Sequence, residues 1–212
     1  MLLSNGPLSS AVAQSQGLAL ADHASGNKRI TVCAVSDGAA MEGEAKEAFA
    51  AIPGFAAKNK CNPYILIISD NNTKLSGRID ADSFSMNPTF ASLESLGWDC
   101  MVIAEGNDLE KSYQALEVAL EKVKKDETKP VALIFKTIKG YGVKATAESK
   151  SGGHGYPIKA YSEDIYAFLD EIFKGETPSE FKDWAKAATI KPEAKASSSS
   201  GKTEKAQAGL AR

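Results

Sequence analysis

Ile30-Thr31-Val32-Cys33-Ala34-Val35-Ser36-Asp37-Gly38-Ala39-Ala40-Met41-Glu42-Gly43 contains one structural change of direction. Ile30 to Val35 is apolar with almost no polar alternation, which reads as a parallel strand covered on both faces. The chain then turns at Ser36-Asp37-Gly38 and enters a helix expected over Ala40 to Lys58.

The same alternation continues outward. Tyr64 to Ile68, Cys100 to Ala104 and Val131 to Phe135 are further short apolar runs and read as strands. After Asn107-Asp108, a good helix cap, Leu109, Tyr113, Leu116, Leu120 and Val123 recur at spacings of four and three. A further helix is expected over Ser162 to Phe173. Strand and helix in alternation predict an α/β fold, a mostly parallel sheet with helices on both faces.

The chain has 212 residues, enough for one well-buried domain or a domain with an arm. We place that domain at residues 1–184 and a flexible Ala/Lys/Ser-rich linker at 185–212, where large apolar residues become scarce. A formal net charge of −2 gives no electrostatic reason to expect nucleic acid or an anionic membrane as partner. No apolar run approaches the ~20 residues that span a bilayer. The first residues lack a basic segment followed by a long apolar one, so no secretory signal is expected. Cys33, Cys61 and Cys100 are odd in number and far apart, which supports neither a zinc cage nor a disulfide framework. The cytoplasm is the default compartment. Gly6-Pro7-Leu8 runs into a small-residue helix with no strand before it, so further structure is expected upstream.

Two expected strands end in polar clusters, Ser36 to Gly43 and Ser69-Asp70-Asn71-Asn72-Thr73-Lys74. In open α/β sheets, ligands bind beyond the carboxyl ends of the strands. A carboxylate, a side-chain amide and a backbone carbonyl make a hard oxygen site, suited to magnesium or calcium with diphosphate oxygens completing the shell. Gly38 at a helix start lets backbone N–H groups come close to a phosphate. Either cluster alone reads first as an ordinary turn. His154 lies in a glycine-rich loop and is either a loop histidine bonded to its neighbours or a ligand contact. His23 reads as a surface residue, and Glu44 and Glu47 as a solvated helix face.

Together the two clusters resemble the Asp-Gly…Asn-Asn signature of thiamine-diphosphate enzymes, although Ser36 stands where the first glycine is usual. Further segments in order are similar to transketolases. These are Gly6-Pro7-Leu8, Met41-Glu42-Gly43, Asp70-Asn71-Asn72 with Leu75-Ser76-Gly77, Lys136-Thr137-Ile138-Lys139-Gly140-Tyr141-Gly142, and Gly153-His154-Gly155-Tyr156-Pro157-Ile158. Ser9-Ser10 departs from the glycine-glutamine pair expected there. The resemblance runs from residue 6 to about residue 158 and implies the amino-terminal, diphosphate-binding domain, cut short at both ends.

It also implies roles. Asp37, Asn72 and the Lys74 carbonyl would bind Mg2+ or Ca2+; Gly38 would donate to the diphosphate of thiamine diphosphate. Gly6, Pro7 and Leu8 would lie beside the cofactor rings, with Gly6 on the aminopyrimidine. Glu42 would join a carboxylate network at a dimer interface. His154 would touch the cofactor and sugar hydroxyls and handle protons. The implied reaction moves a two-carbon ketol unit between sugar phosphates. It implies a homodimer, or a heteromer with a pyrimidine-binding subunit, because this chain lacks the domain that activates the aminopyrimidine. Deoxyxylulose-phosphate synthase, the α subunit of a 2-oxo-acid dehydrogenase and a non-catalytic binding domain of the same fold are the alternatives.

Overall fold

The computed structural model describes residues 6–154 and 159–192. The elements in chain order are α1 (Ser10–Ala24), β1 (Thr31–Ser36), α2 (Asp37–Ala40), α3 (Gly43–Ala56), β2 (Tyr64–Asp70), β3 (Thr73–Lys74), β4 (Gly77–Arg78), α4 (Ile79–Asp82) and α5 (Asn87–Leu96). There follow β5 (Asp99–Ile103), α6 (Leu109–Lys125), β6 (Val131–Lys136), α7 (Lys144–Ala147), α8 (Asp164–Ile172) and α9 (Ser179–Thr189). β1, β2, β6 and β5 form one all-parallel sheet in that order, and β3 and β4 make a separate antiparallel pair.

Alternate strand residues point to opposite faces, and each face has its own core. Cys33, Leu66, Ile68, Ala132 and Ile134 pack with Val12, Ala19, Phe49, Ile52, Phe90 and Leu93 from α1, α3 and α5. Ile65, Val131, Leu133 and Phe135 pack with Ala115, Ala119 and Val123 of α6. The near-continuous apolar strands follow from this double covering. β1 is the exception: Val32, on the α6 side of the sheet, is 51% exposed, because α6 packs mainly on β2, β5 and β6.

Two expectations are corrected. In α6 the Asp108 side chain caps the helix by accepting from the Lys111 N–H, but Leu109 is 85% exposed and Tyr113 is also exposed. The buried face is Ala115, Ala119 and Val123, with the expected Leu116 and Leu120 half-buried against the same core. Residues 185–189, expected to begin a linker, form the last turn of α9, with Ala185 fully buried. The Lys-Ala-Ala composition that reads as poor in apolar surface is also strongly helix-forming.

Contacts divide the chain into residues 1–157 and 158–212. In the second unit, α8 packs on α9 and the Phe173 and Phe181 rings lie 5.0 Å apart. Among the described residues no helix is long and apolar enough to cross a membrane.

Candidate functional site

The parallel register sets the ends of β1 and β2 in step, with Ser36 opposite Ser69. Asp37 therefore emerges beside Asn71 and Asn72. Its side chain is buried, with the residue 1% exposed, yet no other side chain bonds it among the described hydrogen bonds. Instead it accepts three backbone N–H groups. Gly38 donates to Oδ1 at 2.8 Å, Asn71 to Oδ2 at 2.9 Å, and Asn72 to Oδ2 through a short contact. Burial pushes the Asp37 carboxyl above its ordinary value. The three N–H groups pull it down, and the charge of Asp70 adds to the upward push. A carboxylate offers about four lone-pair positions, so capacity for another ligand remains.

Asn72 adopts a left-handed backbone, φ 55°, a conformation asparagine tolerates better than most residues. Its Oδ1 accepts from the Asp80 N–H at 3.0 Å, leaving that oxygen one further lone pair. Lys74 precedes a two-residue hairpin, Leu75-Ser76, and pairs with Gly77. A Cβ on Gly77, where φ is +156°, would lie 2.1 Å from Asp82 Oδ2, so a larger residue there would have to displace the Asp82 side chain. The Lys74 side chain turns towards Ser76 Oγ at 3.0 Å and Asp82, leaving only its main chain for a site role.

Gly38 bonds the Asp37 carboxylate through its N–H, the anticipated diphosphate donor. Its φ is not positive, and an added Cβ would meet only ordinary contacts, at 3.7 Å or more. Among the described residues nothing demands a glycine at this position.

The donor set suits a hard cation. Asp37, the Asn72 amide oxygen and the Lys74 carbonyl are all oxygen ligands of the kind magnesium and calcium take. Among the described residues no three His, Cys, Asp or Glu side chains cluster to hold an ion by themselves. A divalent ion here would need oxygens from its ligand to complete its shell. Two buried side-chain atoms lack a hydrogen-bond partner among the described residues, Ser9 Oγ and Asn71 Oδ1. Both lie at this edge: Asn71 follows β2, and Ser9 precedes α1, whose first turn meets that of α3 through Ser10 Oγ donating to Glu44 at 2.8 Å. Unspent polar atoms gathered at one edge fit a site whose remaining partners come from a ligand.

The loop after β6 closes the same edge. Thr137 donates its N–H to the Asp70 carbonyl at 3.0 Å and shares a 2.8 Å hydrogen bond with Ser69. Lys136 is ion-paired with Asp70. Farther along, Thr146 Oγ1 bonds the carbonyls of Gly140 (2.7 Å) and Val143 (2.8 Å). Gly153 has φ +75°, and a Cβ there would stand 2.9 Å from Thr146. Arg78 ties the loops together, donating to Thr73 Oγ1 at 2.8 Å and to the Ser149 carbonyl at 3.0 Å. His154 is exposed, and its Nδ1 lies 3.0 Å from Lys139 Nζ.

The structure thus brings Asp37, Asn71, Asn72 and Thr137 together. Among the described hydrogen bonds none joins His154 or Glu42 to Asp37 or Asn72. Glu42 is exposed at the start of α3, and Gly6, Pro7 and Leu8 are exposed before α1. Gly155 to Ile158, the rest of the expected histidine element, lie outside the described residues. Sequence reasoning passed over Asn71, Arg78 and Lys139. Arg78 carries no signal that separates it from its neighbours, and Asn71 and Lys139 lie in segments already singled out, without a role of their own. Burial pushes the Cys61 and Cys100 thiols up to about 11, so neither is a ready nucleophile at neutral pH.

Comparison with known proteins gives one consistent result. Residues 3–182 match the family model for the transketolase thiamine diphosphate binding domain. Transketolase from Staphylococcus aureus (strain MW2) is 34% identical over 166 residues, covering 74% of this chain and 23% of that protein. The Geobacillus stearothermophilus transketolase is 31% identical over 165 residues, covering 73% and 23%. Among solved structures, a transketolase variant from Pichia stipitis superimposes with a TM-score of 0.65 at 23% identity, covering 88% of this chain and 28% of that one. Transketolase from Leishmania mexicana gives 0.56 at 21%, covering 87% and 30%. These structural likenesses show the fold. The chain spans about a quarter of the length of the curated relatives it matches.

Proposed function

We propose, since this chain belongs to the transketolase thiamine diphosphate-binding domain family, that it anchors thiamine diphosphate through a divalent metal and serves ketol transfer between sugar phosphates. The observation that carries this reading is the meeting of Asp37 with the Asn71-Asn72 main chain at one sheet edge. Asp37, the Asn72 amide oxygen and the Lys74 carbonyl would hold Mg2+ or Ca2+. The bound cofactor supplies carbanion stabilisation.

The protein's own residues orient and enclose. Asp37 is oriented by three N–H groups, so the anchor is set before any ligand arrives. Gly38, which the chain itself does not require to be glycine, leaves room for the diphosphate to approach the backbone. Its N–H serves by holding Asp37. Gly6, Pro7 and Leu8 supply an exposed surface for the cofactor rings, with Leu8 59% exposed. Glu42, exposed at the head of α3, would meet a partner subunit. His154, exposed on the loop after β6, would touch the cofactor and sugar hydroxyls.

Titration of the chain with thiamine diphosphate and magnesium, followed by calorimetry, tests the anchor. Asp37→Ala should abolish metal-dependent binding, and Asn72→Ala should weaken it less, by about tenfold, because water replaces a neutral ligand at a cost of roughly one hydrogen bond. Parent-like binding by both variants would sink the site assignment. In a transfer assay from a ketose phosphate to ribose 5-phosphate, the chain alone should show no turnover, and addition of a pyrimidine-binding domain should raise cofactor affinity.

A further inference from the structure

We propose that Lys139 is a positioning residue for His154: its ammonium occupies Nδ1 and leaves the imidazole's own proton on Nε2. The two nitrogens lie 3.0 Å apart. A lysine ammonium has donors and no acceptor, so in this contact Nδ1 must accept. A neutral imidazole accepting at Nδ1 carries its N–H at Nε2.

Both partners are held from behind. The Lys139 stem lies along the backbone of Gly152: a Cβ added there would stand 2.7, 3.0 and 3.2 Å from Lys139 Cβ, Cγ and Cδ. Gly152 also has φ +58°, so a side chain is disfavoured twice. The His154 main chain is fixed by Ser151, whose carbonyl accepts the His154 N–H at 3.1 Å and whose hydroxyl donates to the His154 carbonyl at 3.0 Å. The contact therefore joins a lysine set by a glycine surface to a histidine set by a turn.

The chemical consequence is direct. With Nδ1 taken and Nε2 protonated, His154 presents a hydrogen-bond donor. It suits an oxygen, from a phosphate or a sugar hydroxyl, and the neighbouring ammonium strengthens that preference for electron-rich groups. Taking a proton from substrate would first require breaking the Lys139 contact. Which oxygen is met rests on the cofactor reading above; the tautomer does not.

The chain has two histidines, His23 and His154, so long-range 1H–15N spectra of histidine-labelled protein resolve both rings. In alkaline buffer His154 should show the Nε2–H pattern. Lys139→Met should lower the ratio of Nε2–H to Nδ1–H by about tenfold, the size of a charge-assisted hydrogen bond discounted for exposure. Lys139→Arg should restore it. Gly152→Ala, which displaces the lysine stem while keeping its charge, should lower it too. His23 should not respond to any of these. An unchanged His154 ratio in both Lys139→Met and Gly152→Ala would overturn the proposal. Magnesium and thiamine diphosphate are then added to the parent chain. Movement of the Nε2–H signal supports the donor role. Silence there, with the lysine dependence intact, would leave the positioning standing and remove His154 from the cofactor site.

Discussion

The turns that end β1 and β2 and the loop that follows β6 border the same sheet edge, but different forces hold them. At Asp37 the fixing groups are main-chain N–H donors on two adjacent parallel strands, and the carboxylate is buried among them. Between Thr137 and His154 the fixing groups are a few side chains, Thr146, Ser149 and Arg78, on a backbone with four glycines of positive φ. A main-chain cradle survives most substitutions around it, whereas a loop held by side chains fails when one of them is lost. The anchor is rigid by construction, and the loop after β6 can be tuned residue by residue.

The comparison breaks most visibly at Asp37. Asp37→Ala leaves three part-buried N–H groups without their acceptor. At roughly 1 kcal/mol or more for each unsatisfied group, urea denaturation should show a loss of about 3 kcal/mol. A loss below about 1 kcal/mol would mean the cradle does not depend on its carboxylate.

The same group should give the cradle a pH signature. Burial raises the Asp37 carboxyl above its ordinary value of 3.8, so the folded state holds that proton more tightly than the unfolded chain. Its contribution is complete below the ordinary carboxylate range and is lost as pH rises through the raised folded value. The stability of the parent relative to Asp37→Asn should therefore fall over that window in metal-free buffer. Magnesium with thiamine diphosphate favours the ionised form and should offset the fall. A difference that rises with pH without metal would show that the N–H donors outweigh burial.

Effects in the loop after β6 should be smaller and local. Gly153→Ala forces a side chain onto φ +75° and against Thr146, a cost of about 1–2 kcal/mol. Amide exchange should quicken across residues 140–153 and stay unchanged at Asn71 and Asn72. Arg78→Ala is the finest probe, since it cuts the tie to Ser149 without entering either loop's backbone. It should cost about 1 kcal/mol or less and speed exchange at Ser149 to Gly153. If exchange at Asn72 quickens equally in either variant, the two regions are one cooperative unit.

Much of this was legible in the sequence. The four sheet strands stand within two residues of their expected ends because β-branched runs bounded by turns carry that signal plainly. Asp37 and the asparagine pair could be singled out because strand ends are where α/β sheets gather polar residues. α5 was missed, since it buries only Phe90 and Leu93 among exposed neighbours, too sparse a stripe to count. The exposure of Leu109 shows that periodicity finds a helix more surely than it finds which turn is packed. The commitment of the Gly38 N–H to Asp37 depends on a turn geometry that residue identity does not encode. So does the choice between Asn71 and Asn72, which only their hydrogen bonds separate.

Asp37 and Asn72 are 35 positions apart in sequence, yet they meet across one strand spacing because Ser36 is paired with Ser69. The interval between them is mostly α3 and the connection over residues 57–63. One residue added in that connection lengthens the motif and moves neither partner. One residue removed inside β2 exchanges Ile65, Leu66 and Ile67 between the two cores and carries Asn72 away from Asp37. Motif length is thus a loose constraint and strand length a strict one: relatives should be recognised by what stands at the strand ends, with insertions tolerated between them.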